Sequence, residues 1–514
     1  MKLLGVTQGG FLQVFWQLCQ HLDATYNYAL YVSSSGNYAH AVTQFPEIAD
    51  VTTLKEWDII TGAINTKPDI GRLQSLQAEL PGSLWHPILA DRRVYMGKLC
   101  KARQDYHPSY SEEQMLAILD VAIQKIDAFL EKEKPDMVLG FSSATFGDYL
   151  FELLAKSRNI PYGLLKGTKI NNNVALLDMG IGVPQRLINA YQSMDNIPDT
   201  LRAQARSYIE NVRKRGVKYE GSILFGHDIM VKKLCIAPKR LLAAYFADRK
   251  RRRDPIQSRD PHIPPSLPTA WYTNVVHPLR TFRLGRRLPL LRLEDVNKLS
   301  DFAFYPMHSE PEVALQVSGR PFQNQIEAVR TIALSLPVGT PLLVKEHPRS
   351  LGFRKESYYR KLLDIPNIRL VDPFVPSVEI VKWATLICVI TGSIGLEAAI
   401  VGKPVLVLGA TNYTLLPENM VQQAGNLNDL SIQISSLIKN YSRNDVALER
   451  YIAAILSISV PVNLYTRMLG KSGRYTESFD LEPLEEEYKR LAEFVSSQFL
   501  SLTEQVSPVK AKSV

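Results

Sequence analysis

The sequence predicts an α/β protein with two doubly wound parallel sheets in series. Three observations carry this. The runs Leu342-Leu343-Val344, Leu386 to Ile390 and Val405 to Leu408 are short, continuous and rich in Leu, Val and Ile, as in strands buried on both faces of a parallel sheet. The second run stops at Thr391-Gly392-Ser393-Ile394-Gly395-Leu396-Glu397-Ala398, and Gly402-Lys403-Pro404 precedes the third. This reads as strand, Gly/Ser turn, short helix, glycine stop, strand. The same βαβ order occurs early, where Met137 to Phe141 leads through Ser142-Ser143-Ala144-Thr145 into a helix carrying Asp148 and Glu152, and then to Tyr162 to Leu165.

Taken in order, residues 2–6 form a first strand, and Gly9-Gly10 turns into a helix reaching about His21. Ser111-Glu112-Glu113-Gln114 is a capping box. After it, Met115, Ile118, Leu119, Ala122, Ile126, Phe129 and Leu130 recur at helical spacing until Pro135-Asp136. Residues 1–183 are thus expected to form the first sheet domain. Residues 184–297 read as a basic helical insertion and linker. Leu201 to Arg215 is stopped by Gly216, Leu234 to Arg253 is interrupted near Pro238, and Pro255, Pro261, Pro264, Pro265 and Pro268 mark a loop. The second sheet domain, 298–440, opens with Phe302 to Tyr305 and a helix over Asn324 to Leu336. Residues 441–502 read as C-terminal helices, and 503–514 as a polar disordered tail.

Composition bounds the function. A chain of 514 residues with 46% hydrophobic and 22% charged residues can build two or more ordinary cores. Cys19, Cys100, Cys235 and Cys388 lie far apart with no CxxC pair. That points to neither a disulfide framework nor a zinc site, and makes a reducing cytoplasm the expected compartment. The four-residue apolar run after Lys2 is too short for a signal peptide. No run approaches the ~20 apolar residues that span a bilayer. The net charge of +9 is uneven: residues 239–292 hold thirteen Lys/Arg against three Asp, a local +10, so the remainder is near −1.

The candidate site follows from chemistry at strand ends. Amides of Ser393, Ile394 and Gly395 at a helix N-terminus suit an anion, with Thr391 and Gly392 in the same loop; a tight packing turn is the plain alternative. Lys345 and His347 share one strand face before Pro348 and could meet that anion, with Arg349 and Arg354 as further candidates. Glu310 and Glu312 flank Pro311 and could bind hydroxyls or only solvate a loop. Gly9 and Gly10 would allow close backbone approach or merely make a turn. No metal cluster with ligand spacing is present. The run Arg249 to Arg253, with Tyr245, Phe246, Trp271, Tyr272 and Phe282 nearby, suits anionic lipid, or is a solvated face; no nucleic-acid module accompanies it.

Two Rossmann-type domains with a linker and C-terminal helices resemble the GT-B architecture of glycosyltransferases, an outline shared by UDP-sugar 2-epimerases. The second half is more specific. Phe304-Tyr305-Pro306-Met307-His308-Ser309-Glu310-Pro311-Glu312, Asn324-Gln325, Lys345-Glu346-His347-Pro348, Thr391 to Ala398 and Gly402-Lys403-Pro404-Val405 resemble, in order and spacing, the bacterial capsular polysaccharide biosynthesis and export family, which includes Kdo transferases. The resemblance covers roughly residues 300–415, with a looser match at 134–170. Pro306-Met307-His308 stands where the family has Pro-Leu-Gln.

The resemblance implies a GT-B enzyme taking an activated sugar, CMP-Kdo in the best understood cases, as co-substrate and needing no cofactor or metal. It implies that His347 and Ser393 hold donor phosphate; His308, Glu312, Lys345 and Arg349 are further candidates for binding substrate or nucleotide, and Glu397 bonds a ribose hydroxyl, as the corresponding acid does in many GT-B enzymes, or simply complements the helix dipole. A base from the first domain is implied: Asp148 is preferred over Glu152, and His347 and Glu310 complete the expected catalytic set. The expectation is a cytoplasmic enzyme, peripheral at the membrane through 239–292, that moves a sugar to a lipid-linked or glycan acceptor. A nucleotide-sugar 2-epimerase and a non-catalytic capsule assembly factor are the alternatives.

Overall fold

The computed structural model describes residues 1–104, 106–217, 220, 227–476 and 482–506. Its strands form two seven-stranded sheets. The first contains β1 (Lys2–Thr7), β2 (Asn27–Val32), β3 (Thr53–Lys55), β4 (Met137–Gly140), β5 (Tyr162–Gly167), β6 (Asn173–Leu177) and β14 (Ser459–Pro461), in the order β14-β6-β5-β4-β1-β2-β3. The second contains β7 (Leu290–Leu291), β8 (Ala303–Pro306), β9 (Leu342–Lys345), β10 (Ile368–Val371), β11 (Leu386–Val389), β12 (Val405–Val407) and β13 (Val421–Gln423), in the order β13-β12-β11-β8-β9-β10-β7. The apolar runs of the sequence are the central strands, buried throughout because helices cover both faces.

The second sheet is parallel along its whole width. In the first, β1 pairs in parallel with both β2 and β4, setting Leu4 opposite Ala29 on one side and Val138 on the other. Its far edge is antiparallel: β6 folds back on β5, and β14 adds to β6. That last strand lies within the stretch expected to form C-terminal helices. The chain leaves helix Asp445–Ser457, returns to the first sheet, and buries Val460 and Val462 in the core that also holds Phe15 and Leu18. Pro461, which has no N–H to give a ladder, sits on the edge strand where such a residue is tolerated. Helix Leu484–Val506 then packs Leu491 and Val495 into the same core. It carries helix into the stretch expected to be disordered from 503, because the chain keeps helix-forming residues through Gln505; residues 507–514 lie outside those described.

Helices Asp199–Arg215 and Asp445–Ser457 join the two sheet domains. Tyr208, Ile209 and Val212 pack with Leu448, Tyr451 and Ile452, and one continuous core runs on to Leu396 and Ala399 of the second domain. Arg213 fixes the junction, donating to the Ile400 carbonyl at 2.8 Å and pairing with Asp445 at 2.5 Å. The basic segment departs from its sequence reading at one point. His227–Arg253 is a single helix that runs through Pro238 instead of breaking there. Pro238 is on the exposed side, where water can satisfy the carbonyl it strips of a partner. The segment docks on the second domain through His277, whose ring stacks on Phe353 at 4.0 Å and meets the Leu351 carbonyl at 2.7 Å.

The capping box predicted at Ser111 forms at the start of helix Glu112–Glu133, and a second, between Thr145 and Asp148, starts helix Phe146–Ser157. The second starts so close to β2 that a Cβ on Gly147 would lie 1.7 Å from the Tyr31 hydroxyl, which itself donates to buried Glu56 at 2.5 Å. Gly147→Ala is therefore expected to destabilise the first domain by about 1–3 kcal/mol, read as a lower urea midpoint. An unchanged midpoint would contradict this close approach.

Candidate active site

Both sheets reverse strand order at a defined point, and in open α/β sheets the crevice for a ligand lies there, beyond the strands' carboxyl ends. In the first sheet the reversal lies between β1 and β4. Gln8, just past β1, bonds the hydroxyl of Ser142, just past β4. In the second sheet it lies between β8 and β11. The Thr391 amide donates to His308 Nε2 at 3.3 Å, tying the loop after β11 to the loop after β8. The two crevices share a cavity of about 270 Å³, lined by Ser142, Ser143, Lys166 and Lys169 on one side and by Ser318, Thr391 and Ser393 on the other.

The wall on the second domain is built around Arg354. Its guanidinium is fully buried at 0% exposure, pairs with Glu346 and with Glu310 at 3.0 Å, and donates to the His308 carbonyl at 3.0 Å. Burial opposes its charge, but the two carboxylates outweigh that and hold it well above the usual range. Gln325 grips both backbone groups of His308 and also bonds Glu310. Tyr359 donates to Glu346 at 2.9 Å. Arg354 and Gln325 thus fix the backbone of His308 and the carboxylate of Glu310.

With Nε2 accepting from Thr391, the nitrogen of His308 left to donate is Nδ1, 3.5 Å from Glu312. Burial would raise the Glu312 carboxyl, but His308, Lys169 and His347 together hold it below the ordinary range, so it is ionised. His347 accepts the Arg349 amide on Nδ1 at 3.2 Å, which puts the proton of the neutral ring on Nε2. Burial lowers its pKa to about 4, against the attraction of Glu312, so it is a neutral donor at pH 7. The cleft therefore holds one ionised carboxylate, two histidines, and two lysines of the first domain.

Several residues expected in the site are elsewhere or otherwise engaged. Asp148 is buried at 1% exposure and does not line the cavity; its carboxylate closes the capping box on Thr145, and burial together with Glu56 pushes its pKa up. Glu152 accepts from the hydroxyl of Ser143 at 2.9 Å and from the amide of Gly180 at 3.3 Å, both of which line the cavity, and does not line it itself. Glu310 is held by Arg354, Gln325 and Tyr106. Glu397 accepts the Val217 amide at 3.0 Å and so ties the linker to the helix instead of facing the cavity. Gly395 makes room for a neighbour: a Cβ there would lie 2.4 Å from the hydroxyl of Tyr413, which donates to the Gly392 carbonyl at 2.7 Å. Gly9 takes a positive φ of 56° and Gly10 lies under Leu469, with neither on the cavity wall. Lys345, 6% exposed, feels Glu346 and Asp372, and burial lowers its pKa to about 8. Arg349 is exposed at the loop surface.

His308, Glu312, His347, Thr391 and Ser393 are the expected residues that the fold does gather. Lys166 and Lys169 escaped the sequence reading. They sit on the β5–β6 hairpin, whose connection, Thr168-Lys169-Ile170-Asn171-Asn172, contains no Asn-Gly pair and no glycine of its own and holds Lys169 at φ 64°. Among the described residues no group of three or more metal-ligating side chains occurs.

Two doubly wound domains whose carboxyl edges meet at one cleft define the GT-B type of α/β protein. Residues 287–416 match the family model for capsule polysaccharide biosynthesis protein, spanning every motif of the second half that suggested the resemblance. No curated protein matches the chain. Among solved structures, the beta Kdo 2,7 transferase of Thermosulfurimonas dismutans KpsC is similar at 12% identity over 61% of this chain and 79% of that one, with a TM-score of 0.33. UDP-GlcNAc 2-epimerase from Neisseria meningitidis, bound to UDP-GlcNAc, is similar at 13% identity over 98% of this chain and 100% of that one, with a TM-score of 0.27.

The histidines predict a pH dependence. His277, like His347, has a pKa lowered to about 4, chiefly by burial, against an ordinary value of 6.5. Between these values the unfolded chain binds more protons than the folded one, so stability rises with pH from about 4 to about 6.5 and is lost on acidification through that window. His277, only 1% exposed, should contribute on the order of 3 kcal/mol to this slope. The thermal midpoint should fall between pH 6.5 and 4, and His277→Gln should flatten the fall. Equal slopes in both proteins would mean that His277 is not held neutral.

Proposed function

We propose that this protein is a glycosyltransferase of capsular or surface polysaccharide assembly, moving a sugar from a nucleotide sugar to a glycan or lipid-linked acceptor. The supporting observation is the shared cavity, where the Ser393 loop faces Lys166 and Lys169, with ionised Glu312 on the wall of the adjoining cavity and within charge interaction of Lys169. Donor phosphate would sit between the loop amides and the two lysines, with the His347 Nε2 proton stabilising the departing nucleotide. The acceptor hydroxyl attacks the anomeric carbon and gives its proton to Glu312. The anomeric carbon–oxygen bond to phosphate breaks, and its electron pair leaves with the nucleotide. Glu312 takes the role first sought in Asp148 and Glu152, because it is half-exposed, whereas Asp148 is closed into a capping box and Glu152 is bonded to Ser143 and Lys156. CMP-Kdo is the candidate donor. The family match over 287–416 supports the process and leaves the donor open.

Incubation with CMP- and UDP-sugars, following free nucleotide, tests this. A transferase releases nucleotide faster with acceptor, a 2-epimerase keeps the sugar on its nucleotide, and an assembly factor does neither. Glu312→Gln should lower turnover by about 10²–10⁴-fold with the KM for donor little changed, and His347→Ala by about 10²–10³-fold. Full activity in Glu312→Gln would remove it as the base.

The reading includes a cytoplasmic enzyme working at the membrane surface. Among the described residues no helix is long and apolar enough to cross a bilayer. Helix His227–Arg253 instead exposes Leu242, Tyr245 and Phe246 beside Arg249, Lys250, Arg252 and Arg253. Apolar tips among cations suit an anionic leaflet, where each Lys or Arg contributes about 1 kcal/mol. Changing Arg249 to Arg253 to Gln, Lys250 included, should abolish co-sedimentation with phosphatidylserine vesicles at low salt. Equal sedimentation would make the run an ordinary solvated face.

A further inference from the structure

Beside the cleft lie two further cavities that share two tyrosines. One, of about 300 Å³, begins at Glu312 and is lined by Tyr95, Tyr106 and Tyr358 with the amides of Gln323 and Asn324. The other, of about 600 Å³, continues from Tyr106 and Tyr358 to Arg103, Arg280, Lys355 and Lys361. They are the two ends of one groove that leads away from the reacting carboxylate.

The ends differ in chemistry. At the inner end Tyr106 is 50% exposed and its hydroxyl is tethered to Glu310 at 2.5 Å, which fixes the ring's direction while leaving its face open. Tyr358 lies against the Arg354 guanidinium at 4.9 Å, and its buried hydroxyl has no hydrogen-bond partner. Aromatic faces stack on the C–H faces of sugar rings, while amides, carboxylates and an unpartnered hydroxyl pair with sugar hydroxyls. At the outer end the described lining residues include no Asp or Glu. Arg280, Lys355 and Lys361 make no ion pair among the described residues, whereas the neighbouring Arg283 and Arg287 are matched by Glu356. Three unmatched cations along one wall call for an anion. Arg280 stands on helix His277–Arg287 of the basic segment, so the outer end opens toward the part of the molecule assigned to the membrane surface.

We propose that this groove binds an anionic glycan, with neutral rings on Tyr106 and Tyr358 and a carboxylate- or phosphate-bearing unit on Arg280, Lys355 and Lys361. The inference rests on the transferase reading, in which this glycan is the trailing part of the acceptor. A single-stranded nucleic acid also likes aromatics and cations, but Glu310 and Glu312 at the inner end would repel its phosphates, whereas they suit sugar hydroxyls.

The test is calorimetry with tetragalacturonate, a carboxylated tetrasaccharide, on the full chain without nucleotide at low salt. Maltotetraose serves as the neutral control and hexauridylate as the nucleic acid. Tetragalacturonate should bind at one site. The affinity should drop about tenfold or more in the Lys355→Gln/Lys361→Gln double variant, fall a few-fold in Tyr358→Phe, and be about tenfold weaker for maltotetraose. Lys355 and Lys361 are exposed, so the double variant keeps its fold. No binding of tetragalacturonate, equal binding by the double variant, or tighter binding of hexauridylate overturns the proposal. The two readings fail separately. Tetragalacturonate binding without sugar transfer on any nucleotide sugar leaves the groove and sinks the transferase. Transfer with an unchanged acceptor KM in the double variant leaves the transferase and sinks the groove.

Discussion

Arg354 has no solvent contact, yet it carries a full charge and reaches Glu346, Glu310 and the carbonyl of His308. A buried guanidinium is tolerable only when its carboxylates are fixed with it, and removing one partner would leave a charge stranded at a cost of about 3–5 kcal/mol. This requirement welds three separate stretches together: the loop after β8, the end of β9, and the helix that begins at Glu356. The loop that carries His308 and Glu310 is placed by that weld. His308 faces Thr391 because its backbone is held from behind, and Glu312 faces His308 because the intervening Glu310 is pinned.

The other wall is built differently. Ser142 and Ser143 sit at the strand-order reversal of the first sheet and are oriented by Gln8 and by buried Glu152. Lys166 and Lys169 come from an antiparallel hairpin added at the sheet's edge. One wall therefore presents the Thr391 to Ser393 loop and the other presents ammonium groups, the two kinds of donor that the proposed anion would meet. The core through Tyr208, Tyr451 and Leu396 keeps the walls in apposition.

The parallel strands were legible because burial on both faces leaves continuous apolar runs, and the Thr391 to Ala398 turn because its composition follows from strand–turn–helix geometry. Strand β14 was not. Three residues, one of them proline, carry no periodicity, and only the partner edge of β6 makes them a strand. The roles of acids were the least legible. Asp148, Glu310, Glu312 and Glu397 look alike in sequence, each near a strand end or first helical turn. Asp148 is taken by a local capping box on Thr145, while what separates the other three is tertiary: a buried arginine, a cleft, a linker amide. Lys166 and Lys169 escaped because a hairpin turn without a glycine signal hid the fact that it folds back to the cleft.

The central claim is that one anionic ligand is gripped from both sheet domains at once. Hydrogen exchange measured with and without CMP- and UDP-sugars tests it most directly. The account predicts that the donor which binds slows exchange together in residues 166–170 and 391–396, segments from opposite walls. Protection confined to one wall, with the other unchanged at saturating donor, would contradict it.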